Sequence, residues 1–174
     1  VSVFDGITII NASTFSNNVA YQNGGAIYVS GIFAVIHHSL FTKDEARDGA
    51  GIYLDVGASI EYCTLIAESA KNNGGAIYLY ASNTNISTLN PYYMMVLRYA
   101  GVRHSTITNC IAGHDGGAGY VVGNYGRLFD SIFINNTAGH DGGALLWEGV
   151  NGTINNISVV FSKRRIFPQR RKCQ

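Results

Sequence analysis

Short stretches of alternating apolar and polar residues run along the chain, and their layout recurs. STFSNNVAYQNGGAIYV, SLFTKDEARDGAGIYL, CTLIAESAKNNGGAIYL, STITNCIAGHDGGAGYV and SIFINNTAGHDGGALLW can be set in one register. An apolar anchor stands at Phe15, Phe41, Leu65, Ile107 and Phe133, and five residues later comes Ala20, Ala46, Ala70, Ala112 and Ala138. Two residues before each anchor is a small side chain (Ser13, Ser39, Cys63, Ser105, Ser131), and five before is an aliphatic one (Ile10, Ile36, Ile60, Val102, Leu128). Successive anchors lie 26, 24, 42 and 26 residues apart. Period-two runs broken by Asn-Gly or Asp-Gly predict short strands joined by tight corners. No stretch sustains a 3.6-residue period between caps, which excludes helical repeats.

A unit of this size cannot bury its apolar side alone. Stacking places equivalent residues one above another at the strand spacing of roughly 4.8 Å. The pattern therefore predicts an all-β fold, a right-handed parallel β-helix (β-solenoid) of about five coils. Its coiled domain spans residues 1–161, and the aliphatic and anchor columns form ladders inside it. Asn23, Asp48, Asn73, Asp115 and Asp141, each followed by glycine, mark one corner per coil, because Asn, Asp and Gly tolerate positive φ. After that corner, Ile27, Ile52, Ile77 and Leu145 are expected to face inward, with Gly119 a gap in the ladder. Alternation turns Tyr28, Tyr53, Tyr78, Tyr120 and Leu146 outward.

FSNNVAYQNGGAIY and FINNTAGHDGGALLW carry a family resemblance. They resemble the GGAI and FxxN repeats of chlamydial polymorphic outer-membrane proteins. They are still more similar to adhesin-like proteins of methanogenic archaea, where phrases such as NGTINN (Asn151–Asn156 here) recur. The resemblance covers about residues 7–160. It implies a pectin-lyase-like β-helix displayed at a cell surface, extracellular as part of a longer secreted protein, and used for adhesion. The second and third copies depart from the pattern, with Lys43-Asp44 and Ala67-Glu68 in place of the Asn pair.

Composition adds limits. The 47% hydrophobic content excludes a disordered chain. No apolar run is long enough to span a membrane, and no secretory leader is visible at Val1. The net charge of +1 conceals two compositions: residues 1–161 carry a net −5, and SKRRIFPQRRKCQ (162–174) carries +6 with no acid. After Phe161 the repeat calls for an Asn pair and an alanine. The basic tail in their place reads as a contact arm for anions, a solvated disordered end, or the product of a shifted reading frame. Nothing indicates a specific nucleic-acid partner. Coils without caps at either end leave room for end-to-end association.

Four groups of residues could carry chemistry. His114, Asp115, His140 and Asp141 come from AGHDGGA, which occurs twice one coil apart. Two imidazoles with a carboxylate suit zinc, but Gln22-Asn23 and Asn72-Asn73 make the same corner without such a set, so the corner role is preferred and no metal or cofactor is assigned. The Tyr28, Tyr53, Tyr78, Tyr120 row offers aromatic surface to a glycan or to a protein of a host or neighbouring cell, or else serves the sheet by like-on-like stacking. The 42-residue step holds an insertion at about 82–99 with Tyr92 and Tyr93, either a binding loop or one packed on itself. Among the Asn-X-Ser/Thr sequons, Asn85 and Asn151 lie in loops suited to glycosylation. Cys63 and Cys110 fall in different columns and are not expected to bridge. The reading is a non-enzymatic surface segment with an adhesive or structural role. The rival is a polysaccharide lyase or hydrolase, since such enzymes use β-helices and a hydrolase would need a facing pair of carboxylates.

Overall fold

The computed structural model describes residues 1–4, 6–31, 33–55, 57–81, 101–123, 126–150 and 152–164. Tyr92, Tyr93, Asn85, Asn151 and the insertion at 82–99 lie outside these residues. Every strand pairing among the described residues is parallel and joins one coil to the next, so the chain is a parallel β-helix, and no helix occurs among the described residues.

Each coil visits four sheets. Sheet I takes Ile27–Val29, Ile52–Leu54, Ile77–Ala81, Gly119–Gly123 and Leu145–Glu148, with Ser2–Val3 at its edge. Sheet II begins at Ile7–Asn11 and ends at Thr153–Asn155. Sheet III begins at Thr14–Ser16 and ends at Ser158–Val160. Sheet IV runs from Glu45–Ala46 to Lys163–Arg164. The columns read from the sequence are the register observed: Phe15, Phe41, Leu65, Ile107 and Phe133 pair in series, as do Ile36, Ile60, Val102 and Leu128. Gly101 to Arg103 pairs with Ser59 to Glu61, so the 42-residue step is taken up between Ala81 and Gly101 and the coil below keeps its register.

Three left-handed bends shape each coil. Two need no glycine. Ala12, His38, Tyr62, His104, Asp130 and Asn156 form one column between sheets II and III, with φ between 48° and 52°. Asn17, Lys43, Ala67, Asn109, Asn135 and Phe161 form the next, with φ between 52° and 58°. A non-glycine residue held there costs on the order of 1 kcal/mol, and the inter-coil ladder offsets it: from Ala12 to Asn135 each bend residue donates its N–H to a carbonyl of the next coil, as Ala67 does to Thr108 at 3.0 Å. The third bend is the Gly-Gly corner. Gly74 sits at φ +62°, and at Gly75 a Cβ would stand 2.0 Å from the Gly117 carbonyl. One glycine supplies the dihedral and the other the close stacking.

The interior is apolar but contains two polar ladders. Ser39, Ser105 and Ser131 each donate a hydroxyl to the carbonyl two residues back, while Ser39 and Ser131 accept the N–H of Ser13 and Ser105 in the coil before. Cys63 takes a serine place, its thiol on the Glu61 carbonyl at 3.3 Å. Three residues after each anchor runs the second ladder: Asn18, Asp44, Glu68, Cys110 and Asn136. Asp44, Glu68, Cys110 and Asn136 are fully buried. Cys63 and Cys110 are free and buried. Gly119 leaves room that the Leu145 side chain enters, within 3.1 Å of where a Cβ would stand.

The last rung corrects the sequence register. Val159, not Phe161, stands beside Phe133, so Phe161 and Ser162 occupy the places of the Asn pair. Lys163 and Arg164 pair with Thr137 and Ala138, carrying the ladder past the boundary at 161. Ile157 replaces the inward serine. Leu128, Phe133, Leu145, Ile154, Ile157 and Val159 line a cavity of about 440 Å³ at this end.

Candidate functional site

Alternation along sheet I puts a tyrosine ring on the outer side in each of the first four coils, with Leu146 at that place in the fifth. Tyr28, Tyr53, Tyr78 and Tyr120 pair in register, and their rings stack with centroids 5.4, 4.6 and 5.2 Å apart and interplanar angles of 16°, 13° and 25°. Phe4 tilts against Tyr28 at 5.7 Å. Of the two readings the sequence offered for this row, an open aromatic surface and like-on-like stacking, the geometry is that of the stack. Each ring covers the face of its neighbour, so edges and hydroxyls are what meet solvent, and Tyr120 is only 9% exposed. Strand spacing explains this, since rings repeated at the distance between strands reach van der Waals stacking. Burial and then the neighbouring Tyr78 push the Tyr53 phenol up to about 12, and burial also raises Tyr78 and Tyr120, so these hydroxyls stay protonated.

A second aromatic column runs along the bend between sheets II and III. His38, Tyr62 and His104 stack at 5.0 and 4.8 Å, both pairs within 10° of parallel. Their common signal is position, one residue before the inward small side chain of each coil. Beside them on sheet II, Arg103 bridges Glu61 at 2.8 Å and donates to Ser59 at 3.1 Å.

At the glycine corner the repeated His-Asp pairs do come together. The His114 and His140 rings lie 3.9 Å apart at 36°, and His114 Nδ1 is 3.1 Å from Asp115 Oδ2. Asp115 Oδ1 accepts the Asp141 N–H at 2.8 Å. The same bond links Asn73 to Asp48 and Asp115 to Asn73. From Asp48 through Asn73 to Asp115 the corner column is thus a ladder in which the side chain accepts the amide of the following coil. Burial opposes ionisation of Asp115, but the Asp141 amide and His114 outweigh it and hold its carboxyl below the usual value.

Residues 12–30 and 130–146, in the first and fifth coils, carry the pattern that decides the family likeness. Both segments match the Chlamydia polymorphic membrane protein repeat. The matched stretches run from the first left-handed bend through the Gly-Gly corner to the tyrosine sheet. The coils between them hold the same register with substituted sequence. The repeat family is one of surface-exposed outer-membrane proteins and not of enzymes. No curated protein and no solved structure matches the chain. Among the described residues, no helix is long and apolar enough to cross a membrane.

Proposed function

We propose that this chain is a non-enzymatic repeat segment of a cell-surface protein, with an adhesive role carried by the outer side of sheet I. The observation that carries the reading is the tyrosine row, ordered over four coils of a stack whose first and fifth coils match a surface-protein repeat. Because the rings are already stacked, binding costs little further side-chain entropy. Their outward hydroxyls and edges suit hydrogen bonding to a glycan or to polar groups of a protein. They do not suit face-on sugar stacking, since the faces are occupied.

The test uses the full chain on a glycan array and on intact host or neighbouring cells, with Tyr53→Ala and Tyr78→Ala compared with wild type. The expected result is at least a tenfold loss of retention with an unchanged β circular dichroism spectrum. Retention unaffected by both substitutions would overturn the reading. So would release of sugar products from a polysaccharide, which would establish the hydrolase or lyase instead.

A further inference from the structure

The geometry points to a divalent transition-metal site, zinc in the first place, formed by His114, Asp115 and His140 across two stacked coils. One nitrogen of each ring and one Asp115 oxygen lie within 4.8 Å of one another. Ligand atoms around a tetrahedral zinc sit roughly 3.3 Å apart, given bonds of about 2.0–2.2 Å. Both histidines are exposed, so side-chain rotation can close the difference without moving the coil.

Three features separate this cluster from a chance surface group. The first is rigidity of the backbone beneath it: His140 donates its N–H to the His114 carbonyl at 2.7 Å, and His114 donates to Asn72 at 2.8 Å. The second is the glycine before each histidine. At Gly113 a Cβ would stand 2.0 Å from the Lys71 carbonyl, and at Gly139 one would stand 1.9 Å from the Gly113 carbonyl. These glycines let the two corners stack closely enough to bring the rings to 3.9 Å. The third is a division of labour in Asp115. Its Oδ1 is fixed by the Asp141 amide while Oδ2 faces His114. A ligand carboxylate hydrogen-bonded from behind is the arrangement that orients metal ligands. The ladder role and the metal role therefore use different oxygens and coexist.

The donor set chooses the ion. Two imidazoles and one carboxylate favour zinc, copper(II) or nickel(II) over calcium or magnesium, which take oxygen ligands. Three protein ligands leave a position for water. Bound there, the ion clips the fourth coil to the fifth at the exposed corner.

The experiment is calorimetric titration of the full chain with zinc chloride, in a Cys173→Ser background so that the tail thiol does not compete. The expected result is one saturable ion per chain, with affinity lowered at least tenfold by His114→Ala and by His140→Ala separately. His37→Ala/His38→Ala, which removes the other neighbouring pair, should leave it unchanged. The wild type should melt several degrees higher with zinc in excess, and neither single variant should respond. Uptake should weaken in acid, because imidazole must lose its proton to ligate. No saturable uptake would overturn the proposal. So would uptake that survives both single substitutions or follows the His37/His38 pair.

Discussion

Two polar ladders climb the same coil in opposite senses and opposite surroundings. In the inner ladder the side chain accepts an amide from the coil before it: Asn18 donates to Asp44 Oδ1 at 2.7 Å, Asp44 to Glu68 Oε2 at 3.1 Å, and Cys110 to Asn136 Oδ1 at 3.0 Å. In the corner ladder the side chain accepts from the coil after it. Both use Asn and Asp, and the difference lies in the second oxygen. At the corner, Asp115 Oδ2 meets a histidine at the surface. Inside, Asp44 Oδ2 and Glu68 Oε1 are buried without a hydrogen-bond partner. Burial, followed by the Asp44 charge, pushes the Glu68 carboxyl up to about 9, and burial raises Asp44 too. An acid that is harmless at the corner is therefore a liability in the interior, where Asn at the same place, as in Asn136, has no charge to bury.

The largest effect should come from destroying the stacking that both ladders share. At Gly117 a Cβ would lie 2.1 Å from the Gly143 carbonyl and 2.7 Å from the Thr137 nitrogen. Gly117→Ala should cost about 4 kcal/mol or more, within the range reserved for backbone clash. Urea unfolding followed by circular dichroism reads this directly, and a loss under about 1 kcal/mol would refute the close-stacking account.

Next comes the pH response of the inner acids. Glu68 has an ordinary value of 4.5 and a folded value raised to about 9. The folded chain then holds a proton that the unfolded chain releases. Its stabilising contribution is complete below about pH 4.5 and is lost as pH rises towards 9, by up to roughly 1.4 kcal/mol per pH unit. Glu68→Gln should flatten that slope and raise stability at pH 8 by about 2 kcal/mol. Denaturant midpoints taken from pH 5 to 9 decide it, and parallel profiles for the two proteins would contradict the buried pair.

The corner should answer weakly and only in stronger acid. The Asp115 carboxyl is held below 3.8, so its contribution is present above that value and lost only as pH falls through the lowered one. Asp115→Asn keeps the ladder acceptor, as Asn73 does, and should change stability at pH 7 by about 0.5 kcal/mol or less. A larger loss in thermal melts would show that the corner charge matters more than its exposure allows.

Smallest in energy is a matter of reactivity. Cys110 belongs to the inner ladder and Cys63 to the serine ladder, and burial raises their thiols to about 12 and about 11. In Cys173→Ser protein neither should react with a thiol-specific disulfide reagent at pH 8 until the coil is unfolded, because the thiolate is the reactive form. Rapid labelling of folded protein would place one of them outside the core.

Much of this organisation was legible in the residues. The columns at Ile10, Ser13, Phe15 and Ala20 recur with fixed offsets, and a period-two strand leaves one choice of inner and outer side, so the coil register follows. The Tyr28 row was legible as a row, with stacking as one of two readings, but the sequence did not choose between them, because alternation says which way a ring points and not how far it overlaps its neighbour. The final rung was misread because Ile157 and Val159 replace the inward serine and the aromatic anchor. The inner ladder was passed over because Lys43-Asp44 and Ala67-Glu68 read as lapses from an Asn pair. Only a bend at Lys43 and Ala67, with φ of 58° at both, turns the following acid inward.

The sequence by itself determined the repeat, the parallel stacking and the Asn/Asp-Gly corner, since these depend on local dihedral preference and on apolar residues at fixed spacing. Tertiary structure alone decided which equivalent residues meet and in what medium. Asp44 and Asp115 are the same side chain in the same kind of ladder, and a left-handed bend sends one into the core and leaves the other at the surface beside two histidines. A residue's charge state depends on its surroundings, and in a coil those surroundings are supplied by neighbours roughly 25 residues away.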